Sequence, residues 1–179
     1  MAGSMAGGLG FSAILASMFF GAISGSGPAT TAAVGMLMIP ALADKGYNKG
    51  YAAALTASSG GLGVVIPPSI PMVIYGVTAS ESIGKLFIAG VIPGIMLAGG
   101  LMLANYVISK KRGYVGADKR EPGALGKACK EGIWSILAPL VILGGIYSGL
   151  FTPTEAAVVS VFYTLFVGKF LHKELTSTA

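Results

Sequence analysis

Charged side chains are scarce and unevenly placed in this sequence: they make up 11% of its residues, and none precedes Asp44. Soluble domains carry roughly 25% charged residues. With 54% hydrophobic residues and a mean hydropathy of +0.78, the 179 residues exclude an ordinary soluble composition and indicate a membrane chain. Cysteine is reduced to Cys129, which excludes an intrachain disulfide, and histidine to His172, which leaves no Cys/His cluster for zinc. Both read as bland residues, Cys129 as packing beside a basic loop and His172 as an interfacial side chain. No Ser-His-Asp set, HExxH or Walker A motif is present, and "GLGVVI" lacks the strand-glycine-helix setting of a dinucleotide site, so nothing indicates an enzyme. Residues 1–20 have no basic n-region and read as structure rather than as a secretory signal.

What is present is a set of uncharged runs, about 1–43, 50–80, 86–109, 132–154 and 156–168. A helix needs roughly 20 apolar residues to cross a bilayer. The third and fourth runs fit one crossing each, the fifth fits if it extends over about 152–171, and the first two are too long for one. The basic segment 110–132 holds seven Lys or Arg against three acids and is expected in the cytoplasm; the pI near 9.4 thus reports topology rather than nucleic-acid binding. Counting outward, a helix over about 84–109 places Asp44, Lys45 and Lys49 on the same side, and helices over about 133–150 and 155–171 return the chain there at Lys169. Residues 118–131 are expected to form an amphipathic surface helix from near Pro122, held to anionic lipid or to its own protein by Lys127 and Lys130.

The two long runs carry breakers. Gly25-Ser26-Gly27-Pro28 suits a turn between helices of about 8–24 and 28–42, because glycine permits the turn and proline tolerates the first helical position. Arms this short fit a re-entrant hairpin that opens to the cytoplasm; two short complete spans with an outside loop are the alternative. In the second run a helix over about 48–58 is expected to stop at Ser58-Ser59-Gly60-Gly61, an extended piece to cover 62–66, and Pro67-Pro68-Ser69 to restart a helix to about Ala79. Non-helical backbone at membrane depth survives only when buried in protein or lining a wet cavity, so two interrupted segments imply one shared site. Carbonyls of the broken ends, with the hydroxyls of Ser24, Ser26, Thr30, Ser58 and Ser59, suit a small hard cation. Without a carboxylate, the monovalent Na+ fits better than calcium. The N–H ends near Pro28 and Ser69, with Thr30 and Pro68 beside them, are the candidate binding residues for an anionic substrate.

"SGSGPATTAAVGMLMIPAL", "GVVIPPSIPMVIYG", "FIAGVIPG" and "GIYSGLFTPTEAAVVSVFY", in this order over about Gly8 to Lys173, resemble the large membrane subunit of the tripartite ATP-independent periplasmic (TRAP) transporters. The resemblance implies an all-α integral membrane protein of the bacterial inner membrane, one half of an inverted-repeat, elevator-type transporter. It implies sodium-driven uptake of organic acids, of the C4-dicarboxylate or sialic-acid type, with a small membrane subunit and a periplasmic substrate-binding protein as partners. Sodium binding carries over to Ser24, Gly25, Ser26, Ser59, Gly60 and Gly61, with Pro67 and Pro68 shaping the loop. The expected organisation is hairpin and broken helix of a transport domain in 1–83, a transmembrane helix and basic loop in 84–132, and two helices opening the second repeat in 133–179. The family's large subunit is more than twice as long and holds a second, inverted copy of the hairpin and broken helix. The chain is therefore expected to be the middle of a large subunit, unable to transport alone.

An ion channel, or another ion or anion transporter subunit, is the alternative, with the "SGSG" and "SSGG" carbonyls as a filter. Glu155, after Pro153 and Thr154, reads as a first-turn carboxylate favoured by the helix dipole rather than as a relay. The pairs Gly21/Gly25, Gly90/Gly94 and Gly145/Gly149 read as places where helices approach closely, and Trp134 and Tyr147 as the two interface ends of one helix.

These readings set a topology test. In a Cys129→Ala background, Ser26→Cys is expected to resist an impermeant thiol reagent added from outside. Ready reaction in every state of the protein would support two complete spans instead.

Overall fold

The computed structural model describes residues 6–114 and 124–171, and no strand occurs among them. The chain divides into two compact units, Met1–Pro122 and Gly123–Ala179. The first contains α1 (Gly8–Ser24), α2 (Gly27–Asp44), α3 (Lys49–Gly60), the single turn α4 (Leu62–Val65), α5 (Ile70–Thr78) and α6 (Ile83–Arg112); the second contains α7 (Ala124–Tyr147), α8 (Pro153–Phe166) and a π-helical turn, Val167–Leu171.

Helix ends follow the local chemistry. Gly25, at φ +63°, closes α1 by donating its N–H to the Gly21 carbonyl at 2.8 Å, a left-handed C-cap that favours glycine. Ser26 is extended and caps α2, with Pro28 in its first turn. Asn48 caps α3 by accepting from the Tyr51 N–H at 3.2 Å. Thr152 and Glu155 form a complete capping box on α8, so the acid has the first-turn role expected of it.

Two expectations are corrected. Leu62–Val65 is a helical turn rather than an extended piece, because a proline restricts only the residue before it and that residue is Ile66. α3 ends at Gly60, inside the expected stop at 58–61, and a second interruption follows at 66–69, around a cis Pro67-Pro68 bond. There is also no separate surface helix ending before Gly132: α7 starts at Ala124 and runs unbroken to Tyr147, the cost of one interior glycine being only about 1 kcal/mol. The earlier part of that expected helix, residues 118–123, lies outside the described residues.

In the first unit α1 packs against α2, α3, α4 and α6. The contacts are made by small residues. A Cβ on Gly21 would lie 2.7 Å from the Gly63 Cα, and one on Gly10 only 2.1 Å from Asn105 Oδ1. The interior holds Ser17, Thr30, Thr56, Ser59, Asn105 and Ser109 beside buried Ile14, Leu42, Leu62 and Phe87, whereas Met36, Ile92 and Met96 are about 70–80% exposed. Many large apolar side chains outside, with hydrogen-bonded polar groups among the buried residues, depart from the soluble pattern. Lys49–Thr78, taken as one interrupted segment, and Ile83–Arg112 contain 18-residue stretches of mean hydropathy 1.5 and 2.2; among the described residues these two are long and apolar enough to cross a bilayer.

The packing predicts opposite outcomes for two glycines. Gly21→Ala forces apart two backbones and is expected to lower the thermal midpoint of the purified protein, at a cost of about 1–3 kcal/mol or more. Gly99→Ala, with open space around it, is expected to be neutral or to gain up to about 1 kcal/mol of helix propensity. Equal shifts would contradict the backbone contact.

Candidate functional site

The hairpin tip and the interruption of the second segment meet. The Ile70 N–H, first of α5, donates to the Gly25 carbonyl at 3.1 Å. A Cβ on Gly25 would lie 2.8 Å from the Pro68 carbonyl oxygen, so glycine is required there by both space and dihedral. From the other side, α6 seats the interruption in its Gly90/Gly94 notch: a Cβ at Gly90 would approach the Val65 carbonyl to 2.8 Å, and one at Gly94 the Ile66 side chain to 2.8 Å.

Behind the tip lies a compact set of oxygens. Thr30 Oγ1 donates to the Ser26 carbonyl at 2.7 Å and lies 3.1 Å from Ser24 Oγ, which in turn accepts from the Ser26 N–H at 3.2 Å. Gly63 closes this cluster, since a Cβ there would be 2.6 Å from Thr30 Oγ1 and 3.1 Å from the Ser26 carbonyl. The donor set is neutral and all oxygen, which fits a small monovalent cation by its chemistry. Among the described residues no group of His, Cys, Asp or Glu converges as a metal site.

Not all the residues singled out from sequence gather here. Ser24, Gly25 and Ser26 form the tip, and Gly60 packs against α2 at Thr31, whose hydroxyl a Cβ would meet at 1.9 Å. Gly60 therefore resists a side chain through crowding, not through a positive φ. Ser59 lies deeper: its hydroxyl pairs with Ser17 at 3.0 Å and with the Thr56 carbonyl at 3.2 Å, tying α3 to α1. Gly61 and Ser58 are exposed.

Outside the tip is an open cleft of about 260 Å³, lined by Ile23, Ser24, Gly25, Pro68, Ser69, Ile70, Val73 and Ile74. Of the candidate substrate residues, Pro68 and Ser69 line it, whereas Thr30 is buried behind the tip and Pro28 faces outward on α2. Ser69 donates its hydroxyl to the Val64 carbonyl, holding the interruption closed on itself. No charged side chain lines the cleft. Sequence reasoning missed Ser17, Gly63 and Ile70. Gly21 carried a visible signal in its spacing from Gly25, but its partner, forty-two residues on, did not.

Comparison with known proteins follows the same lines. The sequence model of the family described as "Tripartite ATP-independent periplasmic transporter, DctM component" matches residues 1–179. The chain is 49% identical over 177 residues to the isethionate TRAP transporter permease protein DctMQ of Oleidesulfovibrio alaskensis, covering 98% of this chain and 28% of that protein. It is 48% identical over 174 residues to the sialic acid TRAP transporter permease protein SiaT of Haemophilus influenzae, covering 97% and 28%. With the C4-dicarboxylate TRAP transporter large permease protein DctM of Rhodobacter capsulatus it shares 40% identity over 190 residues, covering 98% and 43%. The chain thus spans between 28% and 43% of the length of these relatives. All three relatives are permeases rather than enzymes, and the chain belongs to the integral-membrane DctM-component family of the tripartite ATP-independent periplasmic transporters.

Proposed function

We propose that this chain forms one half of the translocation site of a sodium-coupled organic-acid permease in the bacterial inner membrane, working with a small membrane subunit and a periplasmic substrate-binding protein. The observation that carries the reading is the hydrogen bond from Ile70 to Gly25, which joins two interrupted helices at one point beside an open cleft. Secondary transporters use such discontinuous helices to hold substrate and coupling ion near the midplane. α5 continues nine residues beyond the tip, about 13 Å at 1.5 Å per residue, and this supports a re-entrant hairpin that ends within the membrane.

The relatives support the substrate class: their names specify isethionate, sialic acid and C4-dicarboxylate, all organic anions. Ile23, Ile70, Val73 and Ile74 present an apolar wall to a carbon skeleton, and the side chains of the cleft bring no positive charge to an acid. Sodium, held by the Ser24, Ser26 and Thr30 oxygens, would supply positive charge beside the cleft. The side chains do the rest: Ser24 and Thr30 fix the Ser26 carbonyl, and Gly25 sets the height of the cleft floor on Pro68. In an elevator mechanism α1 to α6 move as one body, and the close packing of α1 on α3, α4 and α6 supports that.

The test uses the intact permease, reconstituted with its binding protein under an imposed sodium gradient. Ser24→Ala and Ser26→Ala are expected to raise the sodium concentration for half-maximal uptake about tenfold, equivalent to about 1.4 kcal/mol. Ser59→Ala and Ser17→Ala, whose hydroxyls pair with one another, are expected to shift it less and thermal stability more, by about 1 kcal/mol each. If Ser24→Ala and Ser26→Ala both left the sodium dependence unchanged, the tip would be a structural turn only.

A further inference from the structure

Two glycines of α6 stand in opposite surroundings. Gly99 has open space around it, whereas a Cβ on Gly90 would lie 2.8 Å from the Val65 carbonyl oxygen and 2.5 Å from Met72 Cε. Ordinary contact between non-bonded atoms begins at about 3.5 Å. The end of α4 and the start of α5 thus both rest on the α6 backbone at this one position. Met72 Cε ends a flexible side chain and can give way, but the Val65 carbonyl is backbone and cannot yield alone.

The register of α5 fixes the direction in which a push at Gly90 acts. At about 100° per residue, Ile70 and Ile74, two residues to either side of Met72, lie about 160° round the helix from it. Ile70 and Ile74 line the cleft, and Met72 faces α6. α5 is therefore a wall one helix thick between Gly90 and the cleft. No space lies behind its far half either: a Cβ on Gly76, one turn on from Met72, would lie 2.7 Å from Ile83 Cγ1 and 3.2 Å from Leu86 Cδ1.

The Val65 contact reaches the same cleft by a second route. The neighbouring Val64 carbonyl accepts the Ser69 hydroxyl, and Ser69 lines the cleft beside Ile70. Displacing the end of α4 would carry Ser69 with it. Gly94 does not share this arrangement, because a Cβ there would meet only the Ile66 side chain closely, at 2.8 Å, with the Ile66 Cα 3.7 Å away.

We propose that Gly90 is a positioning residue that sets the width of the cleft from behind, and so limits the carbon skeleton that fits; the link to the skeleton rests on the cleft being the acid's site. By lacking a side chain, Gly90 lets Met72 and the Val65 carbonyl sit back against α6. A methyl group there would drive α5 and Ser69 toward Ile23 and the hairpin tip, narrowing an opening of about 260 Å³.

The experiment compares the rates at which methyl and benzyl methanethiosulfonate modify Val73→Cys, a half-buried residue of the cleft, in the purified intact permease, with a cysteine-free background that includes Cys129→Ala. The ratio of benzyl to methyl rates reports width, because changes in thiol reactivity or general exposure cancel. Gly90→Ala is expected to lower this ratio about fivefold, since overpacking shifts backbone. Met72→Ala, which lets α5 settle toward α6, is expected to raise it about threefold, and Gly99→Ala to leave it unchanged. The opposite sign expected of Met72→Ala keeps the test open to refutation where Gly90→Ala does not fold. An unchanged ratio in either Gly90→Ala or Met72→Ala, where folded, or an equal drop in Gly99→Ala, would overturn the role. Neither sodium nor an acid is present, so cleft width is read separately from the sodium dependence that tests the proposed permease.

Discussion

The crossing of Gly21 over Gly63 is the contact on which the first unit depends. Neither residue has a side chain, so the backbone of α1 comes close enough to α4 that a single Cβ would be 2.7 Å from the opposite Cα. That approach places the Ser26 carbonyl and Thr30 hydroxyl against Gly63, and it brings Gly25 within hydrogen-bonding reach of Ile70. A methyl group at the crossing would separate the tip from the interruption and leave the Gly25 carbonyl and the Ile70 N–H unpaired. In a bilayer an unpaired peptide group costs several kcal/mol, because no water replaces the lost partner.

The same constraint explains why glycine, serine and threonine stand in the interior beside Ile14, Leu42, Leu62 and Phe87. Lipid is as apolar as leucine, so burying large aliphatic side chains between helices gains little there; close contact and hydrogen bonds decide the packing. Ser17 with Ser59 joins α1 to α3, and Asn105 with Gly7 and Tyr51 joins α6 to α1 and α3. These bonds occupy the polar groups that a membrane cannot solvate. Near the tip, Ser24 and Ser69 line the cleft.

Much of this was legible in sequence where one residue dictates its own backbone. Gly25 and Pro28 located the hairpin turn, and arms expected over about 8–24 and 28–42 are observed as Gly8–Ser24 and Gly27–Asp44. The basic segments around Lys49 and Lys110, assigned to one side by the charge of the second and by counting helices back to the first, lie together through Asn48 and Tyr114. What depended on distant partners was not legible. α3 does end at Gly60, within the stop read from Ser58-Ser59-Gly60-Gly61, but the packing of Gly60 on Thr31 and of Ser59 on Ser17 could not be read there. The extended reading of Leu62–Val65 overextended the reach of Pro67, and the pairing of Ser59 with Ser17 has no local signature at all.

The central claim is that tip and interruption act as one ligand-binding half. Cysteine modification rates in the intact permease, in a Cys129→Ala background, test it most directly. Sodium together with the organic acid is predicted to slow modification of Ser24→Cys and Ile70→Cys in parallel, with the same concentration dependence, and to leave Met96→Cys on the outer face of α6 unaffected. Protection of only one of the two, or of neither, would contradict a shared site.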